Sequence, residues 1–187
     1  SDNERADYLN WLLGKDVFDD NRDNITNEAA RFLADPLHSK PEVVTFGGTA
    51  ESPEDVLFYA TNMGTLHALD PADGSELWAY LAEDHRPNLR EYILAPNSPQ
   101  HVYGLDGQMT VLTTEANNSS PSDFSLAEAK LYIGERRGGS SYYGFDVSNA
   151  RIASSTPTQL DGDYDTPFKK LFTIKGVYSG NPANTAN

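Results

Sequence analysis

Three short apolar runs joined by two tight turns, in VLFYATNMGTLHALDPADGSELWAY from Val56 to Tyr80, constrain this chain more than any other feature. Leu57 and Tyr59, then Leu66 and Ala68, recur at the two-residue period of a pleated strand. Between the runs, Asn62-Met63-Gly64 and Pro71-Ala72-Asp73-Gly74 supply residues that tolerate a positive φ or arrive with φ already set. The pattern predicts an antiparallel meander. Its closing segment, Leu77-Trp78 with Tyr80, forms an outer strand whose large rings can cover a neighbouring sheet, as in small sheets stacked radially.

From His38 onward the chain repeats this grammar. SKPEVVTFGG, DVLFYATN, GTLHALD and SELWAYL predict four strands, and HVYGLDGQMTVLTT, AKLYIGER, SSYYGFDV and KKLFTIKG predict four more. The alignment sets Leu57 against Leu131, the turn residue Gly64 against Gly139, and Asp70 against Asp146. Polar stretches interrupt the second unit: Ala82 to Gln100, then EANNSSPSDFSLAE, then ASSTPTQLDGDYDTP. Doubling a loop costs only about 0.6 kcal/mol, so such insertions are tolerated at a rim, where binding surfaces are commonly built.

The expected fold is all-β, with β-propeller blades that are four-stranded antiparallel meanders, a partial propeller, and a short N-terminal helix. Residues 1–35 are expected to form the leading helix and a connector, and residues 36–187 about two blades with rim-loop insertions. A closed ring takes roughly 4–8 blades, so two blades predict a fragment of a larger propeller, with an apolar face exposed at each end. The leading helix rests on Ala6, Leu9, Leu12 and Leu13 along one stripe, with Ser1 or Asp2 as cap and Gly14 as stop. The acidic stretch from Asp16 to Asn27 reads as a solvated connector.

Composition narrows the function classes. Ten Tyr, eight Phe, 14 Gly and 11 Pro suit half-buried pleated surfaces punctuated by turns. A net charge of −14 with only 14 Lys and Arg argues against nucleic acid, whose phosphates demand clustered basic residues. The absence of Cys removes disulfides, thiolate–metal sites and thiol catalysis. No apolar run approaches the ~18 residues of a membrane helix, so no membrane span is expected.

Asp161, Asp163 and Asp165 in QLDGDYDTP place carboxylates at alternate positions, the opening half of a calcium loop, and are the candidate metal ligands. Thr166 stands where such a loop turns on Gly, and Phe172 where a bidentate Glu closes it, so a solvated acidic loop is favoured over calcium. Asp19, Asn21 and Asp23 repeat the alternation with Arg22 among them and read as a loop. His38, His101 and Asp106 lack a nucleophile in a recognisable elbow and are assigned to fixing strand ends. No catalytic or cofactor-binding residue is assigned. Asp70 and Asp146, at matching points of the repeat, are read as turn formers. Trp78, Tyr59, Tyr142 and Tyr143 are read as packing between blades rather than as a stacking platform for a sugar or quinone.

The run ATNMGTLHALDPADGSELW resembles the repeats of quinoprotein-dehydrogenase-like propellers, in which a Gly turn, an aliphatic-Ala-aliphatic-Asp strand, a Gly and a Trp recur. Three further pieces, PLHSKPEVV from Pro36, HVYGLDG from His101 and LYIGERRGGSSYYGFDVS from Leu131, occur in that order after the lead-in DYLNWLLG. Together they resemble the C-terminal propeller of PilY-type type IV pilus tip and biogenesis proteins, from about Asp7 to Ser148. ERRGG is more charged than the family's small-residue run, and beyond Arg151 only KKLFTIKG can be followed.

That resemblance implies a non-enzymatic protein, exported through the periplasm to the cell surface or pilus tip, that serves fimbrium biogenesis and cell adhesion. Its implied partners are pilins or minor pilins and a host or abiotic surface, with the remaining blades supplied by the same protein or another chain. The rim loops Glu83 to Gln100, Glu115 to Glu128 and Ser154 to Pro167 are the segments expected to face them. The rival readings are a quinone-dependent (PQQ-type) dehydrogenase propeller and a periplasmic assembly scaffold. The first lacks a vicinal Cys pair and an assignable catalytic carboxylate.

Overall fold

The computed structural model describes residues 6–8, 10–11, 14–29, 34–94, 102–120, 122–151 and 167–176. The strands are β1 (Glu42–Gly48), β2 (Pro53–Ala60), β3 (Thr65–Leu69), β4 (Glu76–Leu81), β5 (Thr110–Glu115), β6 (Phe124–Gly134), β7 (Ser141–Asp146) and β8 (Lys169–Lys175). Each of the eight runs read from the sequence overlaps one of them, with β6 beginning five residues ahead of its run. β1 to β4 pair antiparallel in chain order, and β5 to β8 do the same. The fold is therefore all-β and built of two four-stranded propeller-like blades.

Turn chemistry explains the hairpins. Gly64, at φ 81°, closes the turn between β2 and β3. In the second blade the left-handed position falls on Arg136, at φ 50°, and not on the aligned Gly139. Space is what Gly139 supplies, since a Cβ there would lie 2.1 Å from Glu135 Oε2. Asp70 Oδ1 accepts the Ala72 N–H at 2.9 Å and Asp146 Oδ1 accepts the Ser148 N–H at 3.1 Å, the turn-forming role read from the repeat.

The blades face one another across a shared core. Phe58, Leu66, Trp78 and Tyr80 come from the first, and Leu131, Ile133, Tyr143 and Phe145 from the second. Tyr80 meets Tyr143 and Phe145 edge-on, with centroids 6.4 and 5.0 Å away, and Trp78 lies 4.4 Å from Phe168. Tyr142, expected between the blades, lies exposed on the outer face of the second, and Tyr59, though buried, lies on the face of β2 opposite the shared core. Adjacent residues of a strand point to opposite sides, so Tyr142 and Tyr143 cannot both enter one core. Tyr59 stacks on His67 at 4.6 Å.

One strand ties the sheets together. β6, with 11 residues, pairs with β5 from Leu126 to Tyr132 and, at its start, with β1 through Gly47↔Ser125 and Gly48↔Phe124. The blades thus share a hydrogen-bonded seam as well as a packed face.

The connections differ from expectation in two places. Ala82 to Gln100, read as a polar linker, contains a 3₁₀-helix over Glu83–Asn88 and an α-helix over Leu89–Leu94, and buries His85 and Ile93. Between Glu115 and Glu128 strand β6 already begins at Phe124, leaving residues 116–123 as the connection where a longer insertion was expected.

At the N-terminal end, residues 6–8 and 10–11 are helical and Gly14 takes φ 77°. Its N–H bonds Trp11 O at 2.9 Å while Lys15 N–H bonds Asn10 O at 3.0 Å, the paired bonds of a glycine-terminated helix. The connector closes on itself through the Lys15↔Ala29 bridge, and Asp16, though acidic, is buried and accepts the Asp20 N–H at 2.9 Å. Among the described residues no helix is long and apolar enough to cross a membrane.

Candidate functional site

The turns after β2, β4 and β6 and the loop before β5 gather at one end of the blade pair. Side chains set the first turn: the Thr61 and Thr65 hydroxyls are 2.6 Å apart, and Thr61 N–H bonds Thr65 O at 2.9 Å. Asn62 is the hub. Its Nδ2 donates to Asp35 Oδ2 at 2.7 Å, its carbonyl accepts the Tyr92 hydroxyl at 2.8 Å, and its Oδ1 accepts the Gly104 N–H at 3.3 Å.

The contact between these loops is backbone on backbone, and glycine permits it. A Cβ on Gly104 would lie 2.4 Å from the Gly64 nitrogen, one on Gly138 1.9 Å from the Gly104 carbonyl oxygen, and one on Gly107 2.2 Å from that of Gly134. ATNMG, YGLDG and GERRGG, far apart in the chain, therefore form one platform.

Polar side chains edge it. His38 Nδ1 lies 2.7 Å from Asp106 Oδ1, and Arg136 approaches the other carboxylate oxygen at 3.7 Å. Asp106 is buried, so this pair staples the segment entering β1 to the loop preceding β5. Both residues were assigned to strand ends, and the structure brings them together. His101 lies outside the described residues. Tyr103 carries Arg137 on its ring, the guanidinium carbon 5.2 Å from the centroid, and accepts its NH1 at 2.9 Å. Arg136 and Arg137 are exposed, so a cationic pair stands out on a chain of net charge −14.

Beneath the platform lies a second polar group that sequence reasoning missed. Glu135 is buried; its Oε2 accepts the Ser141 N–H at 2.8 Å, its Oε1 accepts the Tyr143 hydroxyl at 3.0 Å, and His85 Nε2 is 3.2 Å from Oε1. Asp84 accepts the Ser141 hydroxyl at 2.6 Å and pairs with Lys175, while Glu83 pairs with Lys170. Burial, then the neighbouring Glu135 carboxyl, pushes the Tyr143 hydroxyl far up. Lys175, then Ser141, holds Asp84 below the usual aspartate range against the opposing effect of burial, and Lys170 does the same for Glu83. These ion pairs link the 3₁₀-helix after β4 to β8, on the far side of the blade contact.

The depressed Asp84 value gives a pH-dependent prediction. A carboxylate whose folded pKa is lowered stabilises fully above its unfolded value of about 3.9, and that contribution is lost as pH falls through the folded value. Asp84→Asn is therefore expected to melt below the native chain at neutral pH, and the gap to close as pH drops below about 4. Thermal unfolding across the acid range checks this; a gap that stays constant with pH contradicts it.

A cleft of 460 Å³ opens where β1 and β5 diverge from their shared edge of β6, lined by Val43, Val44, Thr110, Val111, Phe124 and Leu126. Among the described residues no group of three or more His, Asp and Glu is placed to hold a metal ion. The candidate calcium ligands Asp161, Asp163 and Asp165 lie outside the described residues. Chemically, the platform presents two guanidinium heads and a phenol ring in fixed relation, an arrangement suited to carboxylate-bearing surfaces. Compared with models of known protein families and with curated protein sequences, the chain matches none.

Proposed function

We propose that this chain is a propeller segment of a PilY-type type IV pilus tip and biogenesis factor, a non-enzymatic adhesion and assembly module working outside the cell. The observation that supports this reading most is the platform: segments from each of the three later pieces that carry the resemblance, at His38, Tyr103 to Gly107 and Glu135 to Gly139, meet at one end of the blade pair. A rigid end built of stacked main chain holds Arg136, Arg137 and Tyr103 toward a partner, whether a minor pilin or a surface. Partner binding rather than turnover is the work such an end does.

The test is genetic and structural together. Cells lacking the protein are expected to carry fewer surface pili and attach less, and the native gene to restore both. A variant carrying Arg136→Ala and Arg137→Ala should fold, by circular dichroism and thermal melting, yet restore attachment poorly. Pilus number and attachment that are unchanged by loss of the protein contradict the proposal.

A further inference from the structure

The repeat carries more than a strand order. Through the pairing registers, each residue of the first blade's buried face has a counterpart in the second blade. Phe58 pairs with Ala68 and Ala68 with Trp78; Tyr132 pairs with Gly144 and Gly144 with Phe172. One step along, Ala60, Leu66 and Tyr80 correspond to Gly134, Tyr142 and Ile174. The construction is the same in both, a small residue beneath a large one: Tyr142 lies over Gly134 and Phe172 over Gly144, so close that a Cβ would meet the rings at 2.7 and 2.5 Å.

The first blade's version of this face is buried against the second blade. The second blade's version faces outward, with Tyr142 59% and Ile174 62% exposed.

The complementary face repeats as well. Val111, Leu131 and Phe145 form one registered row on the second blade, and that row belongs to the core the two blades share. In the first blade the same row is Val43, Leu57 and Leu69, and it lies on the outer face, with Val43 58% exposed and Leu57 and Leu69 half-buried. The chain therefore displays at its two ends the two halves of the contact that it makes internally.

From this we infer that the outer face of the second blade docks the outer face of the first blade of another copy of this chain, head to tail. The contact is heterologous: each copy uses one face and leaves the other open, so addition continues until the rotation between blades closes a ring. The inference rests on the fold alone and is independent of the pilus assignment.

Sedimentation or light scattering on the 187-residue chain tests it. The mass should rise with concentration from that of one chain toward a small fixed multiple. Val43→Lys and Ile174→Lys each disable one face at an exposed site, so each variant should keep the native circular dichroism spectrum and remain a monomer. Mixed, they should form a one-to-one complex, because each retains the face that the other has lost. A native chain that stays monomeric at every concentration overturns the inference. So does a native chain that associates while the mixture does not, since that pattern belongs to a symmetric contact between like faces.

Discussion

Replacing Trp78 by Ala is expected to cost about 3–5 kcal/mol. At about 2–4 °C per kcal/mol for a chain of this length, the melting temperature should fall by roughly 10 °C. The ring is 5% exposed, lies 5.9 Å from Phe58 and 4.4 Å from Phe168, and donates its Nε1–H to the Ala150 carbonyl at 3.1 Å. It is the part of the first blade's outer strand that reaches the turn after β7. Truncation opens a cavity at the contact between the blades and leaves that carbonyl without its donor, and the surrounding rings are too large to collapse into the space. Trp78→Phe should lie between the two, keeping part of the packing and losing the hydrogen bond. Urea unfolding followed by far-ultraviolet circular dichroism checks both. A loss within about 0.5 kcal/mol, the range of substitutions at exposed sites, would show that the blades are not held here.

Glu135→Ala is expected to cost a similar amount, about 3–5 kcal/mol, by a different route. No large apolar volume is lost. Instead the Ser141 N–H loses its acceptor inside the protein, the Tyr143 hydroxyl keeps only its longer 3.4 Å bond to Asp84 Oδ2, and His85 loses the carboxyl beside it. Each orphaned buried donor costs about 1–3 kcal/mol. Glu135→Gln keeps one oxygen in place and should lose less. The measurement is again denaturant unfolding; an Ala variant as stable as the native chain, or a Gln variant no better than Ala, contradicts the account.

The sequence made the strands and turns legible because both are local. Period-two spacing around Leu57 and Leu66, and Gly and Asp at the turns, need no knowledge of distant residues. What local spacing does not encode is which side of a strand meets the partner sheet. VLFYA is apolar at every position, so the division into buried Phe58 and outward Leu57 depends on what packs against the blade. That is why Tyr59 and Tyr142 read as packing between the blades alongside Trp78 and Tyr143.

The helical segment after β4 was hidden for a related reason. EDHRPN carries no apolar stripe, and the residue it buries is His85. The candidate site was legible in parts only. HVYGLDG and ERRGG were singled out as segments, but the His38–Asp106 pair joins residues 68 positions apart, and no spacing rule announces it. Nor did anything in the sequence mark Glu135 as buried, since its partners come from the next strand and from the helix after β4.

The seam made by β6 governs the order in which this molecule can assemble. All the hairpins within the blades except β7–β8, whose connection runs over residues 147–168, close over short stretches of chain and are cheap to form. Gly47 and Gly48 find Ser125 and Phe124 only after most of the polypeptide between them has been brought back, a non-local closure that rewards the chain late. Each meander can therefore take shape on its own timescale, and the closing of that glycine seam is the step at which two separate sheets become a single cooperative unit.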